Sequence, residues 1–134
     1  MSPEQIRLVK STWSKVEPVS GAAATLFYGR LFELDPALRP LFKPDLDEQK
    51  LKLAQTLSFA VAGLDQPEIL LPIVRQLGDR HRAYGVEDSH YDTAAAALLW
   101  TLEKGLGPEW TPEAAAAWTA AYLALAGAMK EGAK

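Results

Sequence analysis

Apolar residues recur every three or four positions along most of the chain, which is the spacing of one face of a helix. The first such segment runs from Pro3 to Val16, with Ser2 before it at the capping position. Proline is well suited to a first helical position because its missing N–H has no partner there. The apolar positions of this segment are Ile6, Val9, Trp13 and Val16. The pattern therefore predicts a helix at the start of the chain.

Further helical segments follow, separated by breaks that contain proline or glycine. They are expected at about residues 21–34, 47–62, 67–85, 89–106 and 112–130. Three prolines within residues 34–47 predict a brief helix or turn that redirects the chain. Strand signals are poor, because β-branched runs are few and no Asn-Gly turn occurs. We therefore expect an all-α fold of six or seven helices, in a single domain over residues 1–134.

Composition excludes several classes of function. The 134 residues are 49% hydrophobic, which is enough for a domain with its own core. The formal net charge of −3 is spread along the chain, so we expect neither a nucleic-acid nor a membrane partner. The absence of cysteine excludes disulfides, thiolate metal sites and thioether-linked cofactors. With no apolar signal core and an alanine-rich last apolar stretch, we expect a cytoplasmic protein.

One histidine lies on an apolar helix face. His81 follows Leu77 by four residues, and it follows Val74 and Ile73 by seven and eight. On a helix these spacings place the residues on the same face. Such a histidine is either a core residue bonded to the backbone or a ligand, and spacing alone favours the core residue. The other histidine, His90, falls in a loop and is expected to be solvated or to cap the next helix.

Two other polar side chains interrupt apolar faces. Gln49 lies four residues before Leu53, and Tyr28 lies beside Phe27 in an apolar segment. Each has an ordinary explanation, because a glutamine in a first helical turn is usually solvated and a buried tyrosine usually bonds to a carbonyl. Taken singly, neither residue predicts a site.

The order of four segments resembles the globin family. The segments are LFYGRLF, LDPALRPLF, DEQKLKLAQ and LGDRHRAYGV, and the likeness covers essentially the whole chain. Within that family the chain is similar to bacterial single-domain globins and to the haem domain of flavohaemoglobins. The resemblance implies a globin fold around a haem b, an iron protoporphyrin IX.

On the proximal side, the resemblance gives His81 the place of the histidine that binds the haem iron. The carbonyl of Leu77, one turn back, is suitably placed to accept the other ring N–H. Tyr91 resembles the tyrosine that contacts the proximal imidazole in flavohaemoglobins. The glutamate that completes this arrangement in the family aligns with Ala133, with Glu131 two residues away. In the family, this glutamate supports strong electron donation through the histidine. Without it, the resemblance does not imply such donation, or peroxidase-like chemistry, for this chain.

On the distal side, Tyr28 matches the distal tyrosine of bacterial globins. Phe42, fourteen residues later, matches the phenylalanine that packs against the haem face. Gln49 matches the first residue of the distal helix that faces the ligand, and Leu53 matches a wall residue one turn on. Hydrogen bonds from Tyr28 and Gln49, each worth ~1 kcal/mol or more, would slow O₂ release by an order of magnitude or more.

The implied function is reversible binding of O₂ with high affinity and slow release, which suits oxygen transport poorly. NO and CO are other expected ligands. One implied activity is nitric oxide detoxification, a dioxygenase reaction that needs a separate reductase. The alternative is a scavenger or store of oxygen or sulfide without catalytic turnover.

Overall fold

The computed structural model describes residues 1–83 and 85–132 and is built from helices. Six α-helices are present: α1 (Pro3–Val16), α2 (Ser20–Leu34), α3 (Asp47–Ala62), α4 (Pro67–Ala83), α5 (Asp88–Leu106) and α6 (Pro112–Gly132). Three short 3₁₀ helices lie between them, at Glu17–Val19, Pro36–Leu41 and Gly107–Glu109. Within the described residues there is no strand. The prediction of an all-α fold is confirmed.

Side-chain caps set the starts of several helices, among them α1 and α5. At α1, the Gln5 N–H donates to Ser2 Oγ at 3.1 Å, and the Ser2 N–H donates to Gln5 Oε1 at 3.0 Å. At α5, the Glu87 N–H donates to His90 Nδ1 at 3.0 Å. These contacts satisfy N–H groups that have no partner inside the helix. His90 lies in the first turn of α5 and not in a loop as predicted, while the capping role expected of it is confirmed.

The end of α4 differs slightly from the prediction, which extended this helix to Gly85. The helix ends at Ala83, and Gly85 has φ +92°. The Val86 N–H bonds to the His81 carbonyl and the Gly85 N–H to the Arg82 carbonyl, both at 3.0 Å. This pair of bonds closes a helix end when the following residue is left-handed, and glycine adopts that conformation without strain. Gly85 therefore turns the chain toward α5 instead of continuing α4.

The helices on either side of residues 63–66 pack on different partners. α3 packs on α2 and α1, whereas α4 packs mainly on α6. Between α3 and α4 themselves, the apolar contacts that bury Ala60 and Leu70 lie next to the turn that joins the two helices. Over the rest of their described lengths, α3 and α4 make few contacts with each other. The two helices therefore diverge from their connecting turn.

The rest of the core fixes the helices that support α3 and α4. α2 packs on α5 and α1 packs on α6, around the fully buried side chains of Val9, Leu102 and Ala117. The Trp13 indole N–H donates to Ser58 Oγ at 3.1 Å and so joins α1 to α3. None of the described helices combines the length and the apolar character needed to cross a bilayer.

At Gly78, α4 meets α6 backbone to backbone. A Cβ atom at this position would overlap the carbonyl oxygen of Met129, so no side chain larger than hydrogen fits. Gly78 precedes His81 by three residues on the same helix. This contact therefore helps to set where α4 holds His81.

Candidate haem site

An aromatic cluster encloses the ring of Tyr28 on α2. Tyr28 is 4% exposed, and its ring centroid lies 5.1 Å from that of Phe27, 6.1 Å from Phe32 and 5.6 Å from Phe42. The Phe27 and Phe42 contacts are edge-to-face, and Phe32 is stacked. Both geometries are favourable for aromatic pairs. The structure thus brings Tyr28 and Phe42 together, and the surrounding rings fix the plane of the phenol.

Gln49, in the first turn of α3, interacts with the hydroxyl of Tyr28. Burial raises the pKa of Tyr28 to about 12, and a hydrogen bond with the Gln49 side chain acts in the opposite direction. The phenol therefore keeps its proton at neutral pH and can serve as a donor. Gln49 is half-buried, as is Leu53 one turn later, which packs against the main core. Tyr28, Gln49 and Leu53, three of the residues expected around the bound ligand, thus lie on the facing parts of α2 and α3.

The imidazole of His81 is held by the backbone of its own helix. Its Nδ1 lies 2.8 Å from the Leu77 carbonyl oxygen. Because a carbonyl only accepts, Nδ1 carries the proton of this bond. Burial lowers the pKa of His81, and the bond to Leu77 acts in the opposite direction. The ring is therefore neutral at pH 7 with its lone pair on Nε2, which is the form that binds a metal.

The apolar face predicted around His81 is buried only in part. Val74 is buried and Leu77 is half-buried, whereas Ile73 is 44% exposed. The reason is that α6 covers only one side of α4. Packing on α6 buries Leu70, Val74 and Gly78, and Ile73 lies to one side of that line.

Tyr91, expected near the proximal imidazole, is buried at the start of α5. Its carbonyl accepts a hydrogen bond from the Tyr122 hydroxyl at 2.6 Å, and Lys130 Nζ lies 5.6 Å from the centroid of its ring. Glu131 bonds instead to Arg75 on α4 at 3.0 Å. Ala133, which aligns with the family's glutamate, lies outside the described residues. Burial and, after it, the negative charge of Asp88 raise the pKa of Tyr91, so the described charges around this tyrosine include both the Lys130 cation and a carboxylate.

Sequence reasoning missed Arg39, which supports Phe42. Its guanidinium donates to the carbonyls of Lys43 and Pro44 at 2.9 and 2.7 Å. The prolines on either side of Arg39 are the feature of the sequence that could have identified it. Proline has no N–H to offer, and backbone carbonyls outside a helix need donors from elsewhere.

The donor set suits a haem better than a bare metal ion. In the part of the chain that the structure describes, no three histidine, cysteine or carboxylate side chains come together. A metal ion held by protein alone commonly needs three or four such ligands. A haem iron receives four nitrogens from its porphyrin and needs one axial ligand from the protein, such as a neutral imidazole. The residues around His81 and Tyr28 therefore fit the group that the resemblance implies.

Comparisons with known proteins agree with this fit. The sequence model of the Globin family matches residues 25–129. The flavohemoprotein of Bacillus subtilis (strain 168) is 31% identical over 126 residues, which cover 92% of this chain and 32% of that protein. The flavohemoprotein of Bordetella parapertussis is 35% identical over 130 residues, with coverages of 94% and 32%. The chain thus spans about a third of the length of these curated relatives.

Two solved structures share the fold over nearly their whole length. A bacterial globin from Campylobacter jejuni superposes with a TM-score of 0.88 at 24% identity, covering 98% of this chain and 96% of that one. A hexacoordinated heme protein from an anhydrobiotic tardigrade gives 0.91 at 17% identity, with coverages of 99% and 95%. Together with the family match, these findings confirm the predicted resemblance, and the chain belongs to the globin family.

Proposed function

We propose that residues 1–134 form a single globin domain that holds haem b and binds O₂ reversibly. The observations that carry this proposal are a half-buried, neutral His81 on α4 and the Tyr28–Gln49 donor pair on α2 and α3. The names of the flavohemoprotein relatives support the same cofactor. When bound, the haem would supply the iron at which a diatomic ligand binds.

The residues around His81 would hold the iron-binding imidazole in one state. His81 would bind the iron through Nε2, while the Leu77 carbonyl keeps the proton on Nδ1 and prevents the ring from rotating. Phe42 would pack against the face of the porphyrin. Tyr91, under the cation of Lys130, would lie on the proximal side. A tyrosine is a weaker acceptor for an imidazole N–H than a carboxylate, so this chain would donate less electron density through His81 than a carboxylate partner would bring.

The distal residues distinguish ligands by their charge. Tyr28 and Gln49 would donate hydrogen bonds to a bound ligand, and Leu53 would help to keep water out. O₂ held at this site would carry more negative charge than CO and would gain more from these donors. NO and sulfide are further ligands of the proposed site.

Loss of His81 tests the proposal, with His90 as its matched control. The purified chain should be red with an intense Soret band, and His81→Ala should lose stable haem. His90→Ala removes only a contact at the start of α5 and should keep the haem. A colourless wild-type chain that takes up no added haemin contradicts the proposal, as does His81→Ala with an unchanged spectrum. In the haem-loaded chain, Tyr28→Phe should speed O₂ dissociation about tenfold and CO dissociation less.

We further propose nitric oxide detoxification as the reaction of this site. The net step O₂ + NO + e⁻ → NO₃⁻ consumes one electron per turnover, which a separate reductase would deliver. The support is the similarity to flavohemoproteins, of which this chain spans about a third. The competing proposal is a scavenger or store of oxygen or sulfide without turnover, which needs only the ligand binding that the Tyr28–Gln49 pair supports.

A further inference from the structure

One arginine binds three consecutive backbone carbonyls next to the proposed haem site. Arg39 Nη1 donates to the Lys43 carbonyl at 2.9 Å and makes a longer contact of 3.4 Å with the Phe42 carbonyl. Its Nη2 donates to the Pro44 carbonyl at 2.7 Å. Residues 42–44 lie between the 3₁₀ helix Pro36–Leu41 and α3, outside any helix. A single side chain therefore supplies the donors for the segment that carries Phe42.

The same guanidinium also covers the ring that supports Phe42 and Tyr28. Arg39 Cζ lies 5.3 Å from the centroid of the Phe32 ring. The Phe32 centroid is 5.5 Å from that of Phe42 and 6.1 Å from that of Tyr28. A cation over an aromatic ring at such a distance is attracted to it. Arg39 is thus connected to Phe42 in two ways, through the Phe42–Pro44 backbone and through Phe32.

We propose that Arg39 is a positioning residue, which holds Phe42 against Tyr28 and thereby fixes the direction of the Tyr28 hydroxyl. The inference rests on the proposed haem function and assigns a residue outside the expected set to the same site. Arg39 acts through Phe42, since its own contacts are with the backbone and with Phe32.

The shape of the guanidinium explains why arginine is needed here. Its planar fork places donors in several fixed directions, so it can serve carbonyls that follow one another along a bent segment. A lysine would keep the positive charge over Phe32, but its compact head cannot reproduce that fork. Substitution of Arg39 by lysine therefore tests the contribution of the charge separately from that of the planar guanidinium.

The first test measures backbone hydrogen exchange at residues 42–47 of the full chain, with and without haem. Arg39→Met keeps an apolar side chain of similar length but removes the donors. It should speed exchange in this segment about tenfold, since hydrogen bonds from a charged donor are lost. Arg7→Met is the control, because Arg7 is exposed on α1 and pairs only locally with Glu4. Unchanged exchange in Arg39→Met overturns the proposal.

The second test follows ligand release from the haem-loaded chain. Arg39→Met should speed O₂ dissociation about threefold to tenfold through misdirection of the Tyr28 hydroxyl, with a smaller effect on CO. Arg39→Lys should lie close to Arg39→Met; a rate equal to that of the wild type would show that charge alone is sufficient and would contradict the assignment to the fork.

A double substitution distinguishes an effect that acts through the Tyr28 hydroxyl from a general loss of rigidity around the site. Because the effect is proposed to reach the ligand through the Tyr28 hydroxyl, Arg39→Met should change O₂ dissociation little in a Tyr28→Phe background. An equally large effect there overturns the proposal. A wild-type chain that binds no haem is a different result: the proposed function then fails, while hydrogen exchange in the haem-free chain still decides whether Arg39 holds residues 42–44.

Discussion

At the scale of single residues, burial gives Tyr28 its chemical character. Aromatic rings surround the phenol, and the cost of removing a phenolate from water raises its pKa to about 12. The hydroxyl therefore remains a donor over the whole physiological pH range. Burial disfavours the charged phenolate relative to the neutral phenol. The hydrogen bond with Gln49 lowers the pKa again, but only in part.

The raised pKa of Tyr28 predicts a specific loss of stability in alkali. In the unfolded chain its pKa is about 10, so between pH 10 and 12 the folded chain holds the proton more tightly. The free energy of unfolding therefore falls as the pH rises through this range. At pH 11 the contribution is a loss of about 1.4 kcal/mol. Urea unfolding of the haem-free chain at pH 8 and 11 measures the loss, which should be smaller by that amount in Tyr28→Phe.

Tyr122 must be kept in both chains of this comparison, because burial raises its pKa as well. Its contribution then cancels in the difference between the wild type and Tyr28→Phe. Equal losses in the two chains would mean that Tyr28 titrates as a solvated phenol.

At the scale of elements, the position of α4 depends on its contact with α6. The two helices approach so closely at Gly78 that the Met129 carbonyl occupies the place of a side chain. His81 is less than one turn further along α4. Any change that widens this contact must therefore move the imidazole as well.

Gly78→Ala should weaken both the fold and the proximal side of the site. The added methyl group forces α4 away from α6, at a cost of about 1–3 kcal/mol. The measurements are the free energy of unfolding and, in the haem-loaded chain, the iron–histidine stretching band and the rate of haem loss.

Gly127→Ala is the matched control for that substitution. Gly127 lies on α6 near the same contact but is exposed, and an added Cβ would meet nothing within 4 Å. Alanine should therefore stabilise this helix by about 0.5–1 kcal/mol. If Gly78→Ala behaves like Gly127→Ala, the backbone contact with Met129 is not as close as described.

At the scale of the whole molecule, the proposed reaction depends on electrons from outside the described domain. Nitrate formation from O₂ and NO stops after one turnover unless a reductase returns an electron. We expect sustained, NADH-dependent nitrate production when the haem-loaded chain and NO are added to an extract of its own cells. His81→Ala should abolish the added activity. A single stoichiometric burst in the complete extract would favour the scavenger or store.

Local signals were sufficient to predict most of the fold from the sequence. Apolar spacing, together with Ser2 and the prolines and glycines between segments, placed the helices within a few residues of their observed bounds. The bond between His81 and Leu77 was also predictable, because residues four apart on a helix always lie close together. The globin resemblance supplied the residues that α2 and α3 bring together.

Contacts between distant segments could not be predicted in this way. Nothing local indicates that Gly78 meets Met129, or that Glu131 pairs with Arg75, 56 residues away. The exposure of Ile73 has the same origin, because it depends on which side of α4 faces α6. Arg39 is an exception among the missed residues, because its hydrogen bonds are local. Only the backbone carbonyls that follow it, which lie outside a helix and need donors, would have identified it.

The separate support of α3 and α4 has a mechanical consequence. α3 is anchored mainly to α1 and α2, and α4 mainly to α6, so a displacement of α4 is resisted chiefly by α6. α3 and α4 can therefore move relative to each other along most of their length without breaking either anchorage. A flat, rigid group held between them would join two helices that the polypeptide itself does not pack extensively against each other.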